Sequence, residues 1–207
     1  DYCYPTCSTF TGTEAGISMF NIGDISMVSS IGTADYWDYS SSTTCMILGG
    51  KYKFNAGRLA NTKSALCKIW IDYNIDGIFQ SSEVVYSSGF AKLKTWTATI
   101  TVPTKSSGKV ATGFTKLRIA VVDGNGVAAC VSTAFGGEYE DYGIFLVDDF
   151  EGPVIKLIGG ANAKVGQGLT YTDSGATALD NIDGNVPVMV SSLPLNTQTI
   201  GTYTLTF

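Results

Sequence analysis

The sequence contains no histidine, and this absence removes much of the chemistry that enzymes use most. Ser-His-Asp triads, Cys-His dyads and the usual zinc sites all require an imidazole, which is also the commonest general base. Catalysis by paired carboxylates or by lysine stays chemically open. On balance, the sequence predicts a protein that is not an enzyme.

Charged residues are also scarce, at 15% of the 207 residues, and the formal net charge is −5. Because no basic cluster is present, we expect no nucleic-acid partner. No apolar run reaches the roughly 18 residues of a membrane-spanning helix, so no membrane span is expected. The chain starts with Asp1-Tyr2-Cys3 and shows no signal peptide, which is typical of a processed or trimmed product.

Short segments in which apolar and polar residues alternate dominate the sequence. In the clearest one, Trp96, Ala98 and Ile100 share one face of a predicted strand, and threonines occupy the other face. Helix-period segments with caps are not found before residue 150, where about seven strands are expected. The sequence therefore predicts an all-β protein that begins with a β-sandwich of the jelly-roll type.

The most informative stretch runs from Asp72 to Glu83. It places oxygen-bearing side chains at positions 1, 3, 5 and 12 of a twelve-residue loop, and Gly77 at position 6, where a calcium loop turns sharply. Gln80 at position 9 can act through a water. The predicted Ca²⁺ ligands are Asp72, Asn74, Asp76, the carbonyl of Ile78, and Glu83. The alternative is a polar hairpin turn, which would not require Glu83 at that position.

The segments that flank this loop are rich in β-branched and aromatic residues, as in Cys67–Ile71 and Val84–Tyr86. Both are predicted to be strands, whereas an EF-hand places its loop between two helices. The ion is therefore expected to be structural and not part of a helix-opening sensor.

Five cysteines are present, none in a Cys-x-x-Cys pair, and disulfides are the default in a secreted chain. Cys45 and Cys67 lie in successive predicted strands and form the preferred pair. Cys3 is expected to pair either with Cys7 or with Cys130. Because the number of cysteines is odd, one cysteine stays unpaired or forms a disulfide with another chain.

A second acidic stretch, Gly136–Tyr142, precedes the predicted strand Ile144–Val147. Its carboxylates Glu138, Glu140 and Asp141 are expected to meet a cation, either a further metal ion or the same one brought close by folding. The alternative is a solvated acidic turn.

The charged segment Asp148–Pro153 ends in Gly-Pro and marks the expected domain boundary, with domains at 1–150 and 153–207. The tetrapeptide Asn-Ile-Asp-Gly occurs on both sides, at 74–77 and at 181–184. In the second copy Leu179 and Val190 replace the first and last calcium ligands, so this copy is predicted to be a turn.

Several separated motifs of residues 1–150 resemble the GEVED domain, with Tyr139 where that family usually has valine. The resemblance implies an accessory β-sandwich module of a large bacterial secreted or surface protein. The motifs are Tyr2-Cys3, Tyr36–Tyr39, Trp70–Phe79, Leu117-Arg118 and Gly137–Tyr142.

Residues 153–207 resemble a bacterial Ig-like repeat through the pattern Tyr171–Asp180, Asp183-Gly184 and Gly201–Thr204. The resemblance implies a smaller Ig-like β-sandwich that stops before its final strand. Either the chain is truncated there, or a strand from another molecule completes the sandwich.

These features predict a non-catalytic, calcium-stabilised pair of extracellular modules, in a bacterial secreted or cell-surface protein, for adhesion, spacing or ligand display. The expected partners are other surface proteins, glycans or copies of the same chain. One alternative is a subunit of an extracellular filament that assembles by strand donation. Another is a carbohydrate-binding module whose stacking platform comes from Trp37, Trp70 and Trp96, an idea that rests on fold analogy.

Overall fold

The computed structural model of the chain describes residues 2–7, 16–29, 34–130 and 136–207. The chain divides into two compact units, Asp1–Asp149 and Phe150–Phe207. The all-β prediction is confirmed, since helical structure in the described residues is limited to two 3-10 turns, Ser81–Glu83 and Lys105–Ser107. No helix among these residues has the length and apolar character needed to cross a bilayer.

Unit 1 contains a four-stranded and a five-stranded sheet, in the orders β2-β1-β4-β7 and β3-β9-β8-β5-β6. Neighbouring strands are antiparallel, except that β3 and β9 are parallel. The strands are β1 (Ile17–Ile22), β2 (Ile25–Val28), β3 (Tyr36–Ile47), β4 (Lys51–Arg58), β5 (Leu66–Ile71), β6 (Val84–Ser87), β7 (Thr95–Thr101), β8 (Gly113–Val122) and β9 (Gly137–Val147).

The two sheets of unit 1 form a sandwich around one apolar core. Strand β7 shows why its residues form a strand here: Trp96 and Ile100 are buried, and the intervening threonines are exposed. This is the predicted alternation, and burial of the large side chains is what stabilises the sandwich. The core includes Phe20, Phe54 and Trp96 of the first sheet and Ile69, Ile119 and Tyr142 of the second.

The outer face of the five-stranded sheet carries a second, smaller core. Alternate residues of β5, β8 and β9 point to this face, among them Trp70, Ala120 and Tyr139. They are covered by segments from elsewhere in the chain, including Tyr2 and Cys7 near the start and Val127 and Ala129 after β8. The central strands β8 and β9 are therefore buried on both faces.

A disulfide between Cys3 and Cys130 ties together the two segments that cover this outer face. The preferred pairing of Cys45 with Cys67 is wrong. Cys45 is an exposed residue of β3 and Cys67 a buried residue of β5, and both are free thiols. Strands β9 and β8 lie between them, so three strand spacings, roughly 14 Å, separate β3 from β5. This is too far for a disulfide.

Unit 2 contains one three-stranded antiparallel sheet. Only Ala178 and Asp180 are buried in this unit, and large apolar side chains such as Ile155 and Leu179 are exposed. The described residues therefore do not enclose a core of their own. The strands, in sheet order, are β10 (Val154–Leu157), β11 (Ala176–Asp180) and β12 (Gly184–Val186).

The second Asn-Ile-Asp-Gly copy forms a turn between β11 and β12, as predicted. The Asp180 carboxylate accepts hydrogen bonds from the amides of Ile182 at 2.8 Å and Asp183 at 2.9 Å. These two bonds close the turn.

Candidate functional site

The predicted calcium loop joins β5 to β6 at one end of the five-stranded sheet. It begins at Asp72, directly after the buried residues that end β5, and it ends with the 3-10 turn Ser81–Glu83. The loop therefore joins two antiparallel neighbours in one sheet, as expected from its strand-like flanks.

The first half of the loop wraps around the buried carboxylate of Asp72. Its Oδ2 accepts a hydrogen bond from the amide of Gly77 at 3.0 Å, and its Oδ1 accepts a longer one from the amide of Asp76 at 3.3 Å. Asn74 Oδ1 accepts from the Asp76 amide at 3.1 Å, and Asp76 Oδ1 accepts from the Ile78 amide at 2.9 Å. Side-chain oxygens thus line the inside of the turn.

Glu83 folds back and closes the loop. Its Oε1 accepts a hydrogen bond from the amide of Tyr73 at 3.1 Å, and its Oε2 accepts from the amide of Gln80 at 2.9 Å. This side chain is buried, and burial together with the charge of Asp72 raises its pKa. The last predicted ligand is therefore brought beside the first.

Two left-handed residues shape the loop. Gly77 has φ of +81°, which glycine adopts without a steric penalty. Ile75 has φ of +59°, an unfavourable conformation for a β-branched residue. Its side chain packs against Gly113, where an added Cβ would lie 3.4 Å from Ile75 Cδ1. The sequence alone gave no sign of the strain at Ile75.

The donor set of this loop fits a hard cation such as Ca²⁺. Asp72 and Glu83 are both buried, and no lysine or arginine in the described part of the chain forms an ion pair with either. Buried carboxylates without a positive partner are costly, and a cation would remove that cost. Carboxylates alone do not complete the site, because the described residues contain no group of three or more Asp, Glu, Cys or His side chains that could hold a metal ion. The Asn74 oxygen and the Ile78 carbonyl would supply the rest.

The second acidic stretch lies inside β9, where strand alternation separates its members. Asp141 points to the outer face of the five-stranded sheet, whereas Glu138 and Glu140 point to the side of the sandwich core. These three carboxylates therefore do not converge on one ion, and all three are buried. They are also not the solvated turn of the alternative interpretation.

Asp141 meets a cation, and that cation is the guanidinium of Arg118. Arg118 Nε donates to Asp141 Oδ1 at 2.6 Å, and Nη2 donates to Oδ2 at 2.8 Å. The remaining donors reach the carbonyls of Ala129, at 2.6 Å, and Cys3, at 2.8 Å. Arg118 is fully buried and lies against the ring of Phe79, 4.7 Å from its centroid.

Sequence reasoning missed the role of Arg118, although one signal was present. An arginine stands between Leu117 and the apolar run Ile119–Val122 of β8. On the outer face it holds the first residues of the chain, the segment after β8 and strand β9 together.

Glu138 and Glu140 form a buried acidic pair. Glu140 accepts hydrogen bonds from Ser29 Oγ at 2.6 Å and from the Tyr142 hydroxyl at 2.7 Å. Glu138 Oε2 accepts from the amide of Ile17 at 2.6 Å, and the indole of Trp37 acts on the same carboxyl group. Burial and the charge of Glu140 raise the pKa of Glu138 to about 8, against the lowering effect of the Ile17 amide. Burial also raises the pKa of Glu140.

The three tryptophans do not form an exposed platform. Trp70 is buried under the outer cover of the five-stranded sheet, and Trp96 is buried in the sandwich core. Trp37 is half-buried and stacks on Tyr39 with 6.1 Å between ring centroids. The carbohydrate-binding alternative loses the surface on which it was based.

An open cleft of about 490 Å³ lies beside the loop. Within it, the hydroxyls of Tyr2 and Tyr36 are turned inward, where they donate to Asp72 and Asp141. The cleft is therefore lined by aromatic rings together with polar groups of Asp76, Thr115 and Lys116. Its lining includes Tyr2, Tyr4, Tyr36, Asp76, Phe114 and Lys116.

Comparison with protein families identifies both units. Residues 67–145 match the GEVED domain, and residues 155–207 match the bacterial surface protein Ig-like domain. Both resemblances drawn from the sequence are confirmed. No curated protein matches the chain.

Proposed function

We propose that this chain, a GEVED domain followed by a bacterial surface Ig-like domain, is a non-catalytic pair of extracellular modules that calcium stabilises. The first module would hold the ion, and the pair would serve adhesion, spacing or ligand display at the surface of a bacterium. The family matches support a surface or extracellular context.

The observation that carries the calcium part is the burial of Asp72 and Glu83 side by side without a positive partner. Residues that would hold the ion are Asp72, Asn74, Asp76, Ile78 through its carbonyl, and Glu83. When bound, Ca²⁺ supplies positive charge to hard oxygen ligands, and it accepts flexible geometries better than Mg²⁺ does. Since the loop joins two strands of one sheet, the ion would fix the end of that sheet.

The engagement of the buried carboxylates supports a non-catalytic role. Asp141 is neutralised by Arg118, and Glu140 is held between two hydroxyl groups. A general acid or base must instead reach a substrate. Together with the absence of histidine, these contacts favour a binding or spacing module.

The aromatic cleft beside the loop is the surface that favours ligand display. Tyr4 is 74% exposed and Phe114 45% exposed, so their rings are available to a protein or a glycan partner. Aromatic side chains supply large contact areas in such interfaces. Lys116 adds a positive charge at the cleft, where it bonds to Asp38 at 2.9 Å.

Assembly by strand donation is the second candidate function. The exposed apolar side chains of unit 2 favour it, because an added strand could cover them. The candidate donor strand is the polar stretch before Ile17. Against donation, the described residues Tyr2–Cys7 of this stretch are engaged in unit 1, where the Cys3–Cys130 disulfide and Tyr2 hold them to the outer face. We therefore rank it below the module pair.

Thermal unfolding with and without chelator tests the proposed calcium dependence. At Ca²⁺ about 100-fold above Kd, binding adds about 2.7 kcal/mol to the free energy of unfolding. For a chain of this size we expect EDTA to lower the Tm of calcium-loaded protein by about 5–10 °C. Asp76→Ala should remove most of this difference.

The second Asn-Ile-Asp-Gly copy provides a matched control for that variant. Asp183→Ala changes the same residue in the same tetrapeptide, but in a turn that lacks the first and last ligands. It should keep the full response to EDTA. A Tm that EDTA does not move, in protein shown to start with bound calcium, would sink the proposal.

A further inference from the structure

Asp72 is held from outside its own loop by two residues that are distant in sequence, one at its carboxylate and one at its backbone carbonyl. The hydroxyl of Tyr2 donates to Asp72 Oδ2 at 2.6 Å, across 70 positions. The hydroxyl of Thr115 donates to the Asp72 carbonyl at 2.7 Å and lies 3.0 Å from the Tyr2 hydroxyl. The three residues form one connected hydrogen-bonded group, and Asp72 and Thr115 within it are buried.

The position of Tyr2 is itself fixed by several contacts. Its ring packs on Phe79, a residue of the loop, with 5.1 Å between centroids, and Lys116 Nζ lies 5.3 Å from the ring centre. The next residue, Cys3, is bonded to Cys130, and its carbonyl accepts from Arg118. Tyr2 is thus anchored independently of the loop that it contacts.

The two carboxylate oxygens of Asp72 accept different hydrogen bonds. Oδ2 accepts from both Tyr2 and Gly77, whereas the bond that Oδ1 accepts from a described residue is the long one from Asp76. Groups that hydrogen-bond to a metal ligand fix its orientation, and their loss typically lowers metal affinity 10- to 100-fold.

We propose that Tyr2 is a positioning residue of the calcium loop, which holds Asp72 in its ligating orientation together with Thr115. The disulfide-anchored segment Tyr2–Cys7 is then part of the metal site, although it lies outside the twelve-residue loop. This inference rests on the proposed calcium site. It predicts that an isolated loop peptide without this segment binds calcium more weakly.

Calcium titration calorimetry on the full chain, stripped of metal, tests the role of Tyr2. Tyr2→Phe keeps the ring on Phe79 and removes only the hydroxyl, and we expect it to raise the Kd about 10-fold or more. Thr115→Val should weaken binding in the same direction. Tyr4→Phe is the matched control, since Tyr4 is exposed and forms no hydrogen bond to the loop, and it should bind as wild type does.

The Tm of the metal-free proteins separates positioning from general stability. A purely structural Tyr2 would lower the metal-free Tm in Tyr2→Phe and leave the Kd unchanged, and that result would overturn the inference alone. Wild-type protein that binds no calcium would overturn both this inference and the proposed function. Weaker binding with a metal-free Tm close to that of the wild type is the result that the inference predicts.

Discussion

Replacing Arg118 with methionine is expected to lower the free energy of unfolding by about 3–5 kcal/mol. The variant leaves the buried Asp141 carboxylate with a long ion pair, 3.8 Å from Oδ2 to Lys116 Nζ, in place of its two hydrogen bonds from Arg118, and the carbonyls of Cys3 and Ala129 lose their Arg118 donors. Domains of this kind are stable by only about 5–15 kcal/mol, so this loss is a large fraction of the total. Urea unfolding followed by tryptophan fluorescence measures it.

Two further variants identify the cause of the loss. Adding Asp141→Leu to Arg118→Met should restore part of the stability, because the charge of Asp141 is then no longer buried. Lys105→Met is the control: it breaks the exposed ion pair with Asp148, which joins Lys105 Nζ to Oδ2 at 2.6 Å. An exposed pair is worth about 0–1 kcal/mol. A loss below about 1 kcal/mol for Arg118→Met would contradict the role given to Arg118.

The stability of unit 1 should fall as the pH rises from about 5 to 7, and Glu138 should be a main cause. In the folded state the pKa of Glu138 is raised to about 8, from an ordinary value of 4.5. Between these values the folded chain holds a proton that the unfolded chain has released. The stabilisation that Glu138 contributes is therefore fully present below pH 4.5 and is lost as the pH rises through about 8. Between these values the free energy of unfolding falls by up to about 1.4 kcal/mol per pH unit.

Glu138→Gln tests this assignment, because glutamine keeps the shape and cannot ionise. The variant should show a flatter dependence of the free energy of unfolding on pH, measured by urea unfolding at half-unit steps. Asp148→Asn removes an acid at the exposed end of the unit and should keep the wild-type slope. An unchanged slope in Glu138→Gln would show that Glu138 is ionised in the folded state. Glu140, whose pKa is also raised, contributes in the same direction.

The sequence was most informative where one local rule decides the structure. The alternation in β7 predicts which side chains are buried, because only one face of that strand meets the core. Likewise, the strand-like flanks of the loop from Asp72 to Glu83 predict that it joins two strands, as it does between β5 and β6.

Contacts between segments that are distant in sequence could not be predicted from such local rules. The failed Cys45–Cys67 pairing assumed that strands adjacent in sequence are adjacent in the sheet, whereas the order β3-β9-β8-β5 separates them. The burial of Glu138 and Asp141 on opposite faces requires that β9 be covered on both sides. That cover comes partly from the first residues of the chain, whose return to this sheet no local pattern indicates.

Diffraction from crystals grown with calcium tests the proposed ion most directly. Anomalous scattering should give one peak at the loop, roughly 2.3–2.6 Å from oxygens of Asp72, Asn74, Asp76, Ile78 and Glu83. The contrary result would be a loop without a peak at saturating calcium, in which the Glu83 carboxylate keeps its bonds to the amides of Tyr73, Asn74 and Gln80.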